Sequence, residues 1–169
     1  MRLNPFAWSF RTQFLFGFLV CSGLLAYAVF AQYGQLFEPC PLCIFQRVAL
    51  AATALVALLG ALHSPKSVAG RRVYGLLAAL TAGTGAGIAA RHVWLQHLPP
   101  DQVPACGPGL RFMIESMPSY LDVFKKVLQG SGECAKVDWT LLGFSMPEWT
   151  LLCFVLLGAG ALSAGFRRR

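Results

Sequence analysis

Four apolar runs constrain this chain more than any other feature of it. Residues 12–32, 43–62, 73–94 and 147–166 carry almost no charge, and each is close to the ~20 residues an α-helix needs to cross ~30 Å of hydrocarbon. Inside a bilayer every backbone N–H and C=O must be paired within the protein, so runs of this length and separation fold as helices. The expected fold is therefore all-α: an antiparallel four-helix transmembrane bundle forming a single integral-membrane domain over residues 1–169. Its connections are a short outer loop, 33–42, a plain inner turn, "HSPKSVAGRR", and a long outer loop, 95–146. Composition agrees, with 56 % of residues hydrophobic and 12 % charged, far from a soluble domain of this length.

The distribution of charge orients the bundle. Arg2 and Arg11 precede the first run, Lys66, Arg71 and Arg72 lie between the second and third, and Arg167, Arg168 and Arg169 follow the fourth. All seven acids (Glu38, Asp101, Glu115, Asp122, Glu133, Asp138 and Glu148) fall on the opposite side. By the positive-inside rule both termini are cytoplasmic. The same segregation argues that the net charge of +7 reflects membrane topology rather than nucleic-acid binding. Ala26-Tyr27-Ala28 imitates a signal-peptidase site, but the first run exceeds the ~7–15 apolar residues of a signal peptide and is read as a true span.

Two further patterns belong to packing. "TAGTGAG" (81–87) and Gly158-Ala159-Gly160 have no preceding strand and no following Lys-Ser/Thr, so they read as small residues that let helices approach in lipid, not as a phosphate cradle. In the long loop, Met117, Tyr120, Leu121, Phe124, Val127 and Leu128 recur at three- and four-residue spacing. That period predicts an amphipathic helix, lying on the outer membrane surface or packed on the spans.

The six cysteines fall into two classes. Cys21 and Cys153 sit inside spans and read as small apolar packing residues. Cys40, Cys43, Cys106 and Cys134 form an even set on the outer side, where disulfides persist. Zinc would suit four thiolates, yet only one Cys-x2-Cys is present, and Cys106 and Cys134 are 28 positions apart, so no metal site is expected. A structural disulfide is plausible for Cys106 and Cys134, since it would close a long loop. It is less natural for Cys40 and Cys43, whose spacing is that of redox centres.

Local chemistry supports the redox reading. Pro41 suits a first helical position, which places Cys43 in the first turn, near the positive end of the helix dipole that favours a thiolate. Arg47 shares the face of Cys43 one turn deeper, where a cation can stabilise a thiolate and meet an electron-accepting ligand. His92 closes the third span on the same side and could relay a proton, whereas Arg91 reads as an interfacial anchor.

These residues resemble the DsbB family of bacterial disulfide bond formation proteins. The resemblance rests on "CPLCIFQRVAL" (40–50), "RHVWLQ" (91–96) and "GECAKVDWTLLGFSMPEW" (132–149), in this order and with four spans, and covers essentially the whole chain. It implies a multi-pass protein of the bacterial inner membrane that reoxidises a periplasmic DsbA-type thiol oxidoreductase and passes the electrons to ubiquinone or menaquinone. It further implies periplasmic active cysteines, with Cys40 and Cys43 as the quinone-facing disulfide and Cys106 and Cys134 as the partner-facing one. By the same resemblance Arg47, His92, Met146 and Trp149 lie near the quinone. The implied exchange runs from the partner to Cys106, from the freed Cys134 to Cys40, and leaves Cys43 as the thiolate beside Arg47.

Overall fold

The computed structural model describes residues 8–34, 39–107, 109–137 and 139–167. Arg2, Glu38, Asp138, Arg168 and Arg169, used above to orient the chain, lie outside the described residues. Helix α1 spans Phe10–Gly34, α2 Pro41–His63 and α3 Val68–Gln96. The long loop then folds into α4 (Leu110–Ser116), α5 (Tyr120–Gln129), the single turn α6 (Gly132–Ala135) and a hairpin of β1 (Thr140–Leu141) and β2 (Phe144–Ser145). Helix α7, Met146–Phe166, completes an all-α four-helix bundle whose long helices are each apolar and long enough to cross a bilayer.

The helix ends follow from local chemistry. Cys40 is the extended N-cap of α2 and Pro41 its first residue, where a missing N–H costs nothing. Ser64 ends α2 in the left-handed region, at φ 42°, and its N–H reaches Gly60 O at 2.9 Å. Ser67 opens α3 by accepting the Gly70 N–H at 3.1 Å. At α7 the Glu148 carboxylate accepts the Ser145 N–H, and the Ser145 hydroxyl donates to Gln96 Oε1 at 2.8 Å. That last bond ties the start of the fourth long helix to the end of the third.

Packing is uneven around the bundle. Helices α3 and α7 pair along most of their length, α2 packs against both α1 and α3, and of the neighbouring pairs α1 and α7 touch least. The α3/α7 approach depends on glycine: a Cβ on Gly75 would lie 2.9 Å from Gly165 Cα, and a Cβ on Gly85 would overlap the buried Phe154 ring. Within the two glycine stretches noted in the sequence, Gly85 and Gly158 thus serve the interface, whereas Gly83, Gly87 and Gly160 face open space. The outward faces carry exposed Leu19, Leu55, Leu80 and Leu156, the arrangement required where hydrocarbon is the solvent.

The amphipathic helix expected in the outer loop is present as α5, packed on the spans, with its buried side at one edge of the expected stripe. The chain breaks at 117–119, Ser119 caps α5, and the buried side chains are Val123 and Val127, packed with Leu42, Ile88, Leu95 and Met113. Tyr120 and Leu121, assigned to the apolar stripe, stay 81 % and 70 % exposed. The helix has rotated to meet the outer ends of α2 and α3, with Phe124 against Phe45 at 5.7 Å between ring centroids. Arg91 secures this position: its guanidinium donates to Leu128 O and Gln129 O, both at 3.0 Å, and lies over the Trp94 ring. It thereby satisfies carbonyls at the C-terminus of α5 that have no intrahelical partner.

Candidate functional site

Three helix ends converge at one end of the bundle. The start of α2 supplies Cys40 and Cys43, the end of α3 supplies His92, and the start of α7 supplies Met146 and Trp149. One cavity of about 220 Å³ is lined by Cys40, Cys43, Arg47, His92, Met146 and Trp149 among others, with Leu24, Ala31 and Leu50 on its apolar walls. It lies between α1 and α7, whose mutual contact is slight.

All six cysteines are unbridged thiols in this structure. The Cys40 and Cys43 sulfurs stand 3.3 Å apart, three positions from each other at the α2 N-terminus. Buried His92 lies 3.8 Å from Cys40 Sγ through Nε2 and 4.0 Å from Cys43 Sγ through Nδ1. Its tautomer is set by its neighbours. A carbonyl can only accept, so His92 Nε2–H donates to Cys134 O at 3.0 Å, and Nδ1 is left to accept from the Gln46 amide at 3.2 Å.

Cys134 comes to the same place from α6. It is 1 % exposed, and its thiol lies against that of Cys40. Hydrogen bonding to Cys40, reinforced by burial, pushes the Cys134 thiol well above its ordinary pKa. Cys106 is exposed at the surface, beside the segment that carries Cys134: Gly132 N–H donates to Ala105 O at 3.3 Å, and a Cβ on Gly132 would lie 3.2 Å from Cys106 Sγ. Glycine at 132 therefore permits the close approach of the two cysteine-bearing segments.

Arg47 points across to α1, not outward to solvent. It donates to the Gln32 side-chain oxygen and, at 3.1 Å, to Ala28 O. Trp149 is held by its indole N–H, which donates to Leu141 O at 3.1 Å, and by an edge-on contact with Phe144. The site thus gathers Cys40, Cys43, Cys134, Arg47, His92, Met146 and Trp149, and leaves Cys106 at the rim. Sequence reasoning passed over Gln32 and Gln46, although a polar side chain inside an apolar run was a readable signal for each, and over Gln96, which lies just beyond the third run and carried no such signal.

Cys21 is fully buried in the inter-helix core, as expected of a packing residue. Cys153 is partly buried and lines both the outer cavity and a second, apolar one of about 310 Å³. Among the described residues, Cys40, Cys43 and His92 also form a group whose ligand atoms lie close enough together to hold a metal ion.

Four apolar helices with a dithiol, a histidine and an arginine gathered at one end define a multi-pass membrane protein with a cysteine-centred site. The chain belongs to the family described as Disulfide bond formation protein DsbB, which matches residues 10–164. Among its relatives, the Disulfide bond formation protein B of Xanthomonas euvesicatoria pv. vesicatoria (strain 85-10) is 56 % identical over 99 % of this chain and 96 % of its own. That of Methylococcus capsulatus is 54 % identical, covering 91 % of this chain and 93 % of its own. The one from Xylella fastidiosa is 48 % identical, over 98 % and 95 %.

Proposed function

We propose that this protein is a disulfide-generating oxidase of the bacterial inner membrane, which reoxidises a periplasmic DsbA-type thiol oxidoreductase and delivers the electrons to ubiquinone or menaquinone. The observation that carries this reading is the junction of Cys134, Cys40, Cys43 and His92 at the mouth of an apolar cavity. Family membership supports the class of reaction. In this reading the cysteine end faces the periplasm and both termini are cytoplasmic.

Electrons enter through the exposed cysteine. A thiolate of the reduced partner attacks Cys106 of a Cys106–Cys134 disulfide, forming a mixed disulfide and freeing Cys134. Cys134 attacks Cys40, against which it already lies, and Cys43 leaves as the thiolate. The partner's second thiol then releases Cys106 and departs oxidised. Attack of Cys106 on the Cys134–Cys40 bond restores the first disulfide and leaves Cys40 and Cys43 as a dithiol. One disulfide has been donated, and two electrons and two protons reside on Cys40 and Cys43.

The cavity fits a flat ring with an apolar tail: its walls are mostly apolar, and Gln46, Arg47 and His92 line it together with Cys43. A quinone bound there supplies an acceptor for two electrons and two protons. Arg47 offsets negative charge at Cys43 and on the cavity's occupant, held in place by Gln32 and Ala28. His92, oriented by the Cys134 carbonyl and Gln46, moves a proton at Nδ1. Met146 and Trp149 close the α7 side and exclude water. The test is loss of quinone absorbance by purified protein given a soluble ubiquinone analogue and a reduced DsbA-type partner. Turnover with the wild type and none with Cys43→Ser is expected; equal turnover in both, or none in folded wild type with either quinone class, refutes the reading.

A further inference from the structure

We propose that the dithiol form of this site is also a metal site: Cys40, Cys43 and His92 hold one Zn²⁺, water takes the fourth position, and disulfide formation expels the ion. The proposed function bears on this only by explaining how the dithiol form arises; the site itself rests on geometry. Zinc bonds of ~2.3 Å to sulfur and ~2.0–2.1 Å to nitrogen place tetrahedral ligand atoms about 3.8 Å apart for two sulfurs and about 3.6 Å for sulfur and nitrogen. The Cys40 and Cys43 sulfurs are 3.3 Å apart, and Cys43 Sγ lies 4.0 Å from His92 Nδ1. The ligand atoms of the three all lie within 4.8 Å of one another, so side-chain movements of about an ångström bring them into register with zinc's known bond lengths.

The surroundings suit the ion as well. His92 donates Nε2–H to a backbone carbonyl, the outer contact that commonly fixes a zinc-bound imidazole, and so presents the lone pair of Nδ1. The Gln46 amide that now occupies that lone pair is a neutral group on a flexible side chain and can rotate away. Buried Cys134 and exposed Cys106 both stand outside the group of three. Two thiols lose two protons on binding, so that with a neutral imidazole the centre carries no net charge. Nothing is oxidised or reduced. A Cys40–Cys43 disulfide has no thiolate to offer, so occupancy reports the redox state: zinc stores the reduced enzyme in an inactive form, and an oxidant or a chelator releases it.

The experiment uses the full chain in detergent, reduced with a phosphine and titrated with Co²⁺ and then Zn²⁺ in the absence of quinone and partner. One Co²⁺ per chain is expected, with sulfur-to-cobalt charge-transfer absorption and the intense visible bands of a tetrahedral ion, both removed by Zn²⁺ and absent after diamide oxidation. Loss of an outer contact lowers metal affinity by ~10–100-fold, so His92→Ala and Cys40→Ser, which remove ligands, should lower Zn²⁺ affinity by more than about 100-fold. Cys106→Ser and Cys21→Ala should leave it unchanged. Absence of the charge-transfer band in folded, reduced wild type overturns the proposal, as does binding that survives oxidation or persists undiminished in Cys40→Ser. Turnover in metal-free buffer decides the oxidase reading separately: turnover without metal binding sinks only the metal site, and binding without turnover sinks only the oxidase.

Discussion

Replacing Arg47 with methionine keeps the apolar stem and removes the cation from the cavity wall. Arg47 and Cys43 are four residues apart on α2, so their side chains start about 5–6 Å apart on one face. Two unit charges about 6 Å apart at an effective dielectric of about 20 interact by about 3 kcal/mol. If that attraction is realised as negative charge develops at Cys43 and on the ring, its loss lowers the rate by about 100-fold. The guanidinium also donates to Gln32 and Ala28, so a second variant must separate charge from scaffolding. Arg47→Lys retains the charge without the fork and should keep most of the activity. The assay is quinone absorbance at varied quinone and varied reduced partner. For Arg47→Met, kcat/KM for quinone should fall by about 100-fold while KM for the partner stays within about twofold, at unchanged melting temperature. Equal losses toward both substrates, or Arg47→Lys as damaged as Arg47→Met, would return Arg47 to a purely structural role between α1 and α2.

Other outcomes follow from packing and burial. Gly85→Val drives a side chain into the Phe154 ring and should cost ~1–3 kcal/mol, seen as a lower melting temperature, whereas Gly83→Ala, with open space around it, should be close to neutral. Cys21→Ala and Cys153→Ala should leave quinone reduction nearly intact; loss of activity in well-folded protein would contradict the division of the cysteines into two classes. In fully reduced protein, Cys134 should be alkylated much more slowly than exposed Cys106, as measured by pulsed alkylation and mass spectrometry. The sign follows from its raised pKa: at pH 7–8 nearly all of Cys134 is the thiol, and its rate should keep climbing as pH rises past 9. A Cys134 rate that levels off below pH 9 would show that Cys40 does not hold its proton.

What the sequence by itself determined is the part governed by one-dimensional rules. Span number follows from apolar length, because hydrocarbon admits only internally paired backbone, and the four long helices appear where those runs lie. Pro41 made the α2 start legible, and with it the place of Cys40 and Cys43 at a helix N-terminus. The shared face of Cys43 and Arg47 followed from the helical period alone. The side on which α5 is buried was not legible this way. Its apolar residues share one broad face of a short helix, and docking against Leu42, Ile88 and Leu95 decided that Val123 and Val127, at one edge of that face, go inward while Tyr120 and Leu121 stay out. The meeting of Cys134 and Cys40 across 94 positions was implied by the family resemblance and not by any local pattern, and tertiary structure alone made Gln46 a partner of His92. The glycines that matter most for α3 against α7 include Gly75 and Gly165, which stand outside the two conspicuous stretches. In each case the outcome depends on which surfaces of separate helices meet. Side-chain contacts between distant segments are selected by packing, and packing has no signature in the spacing of one segment.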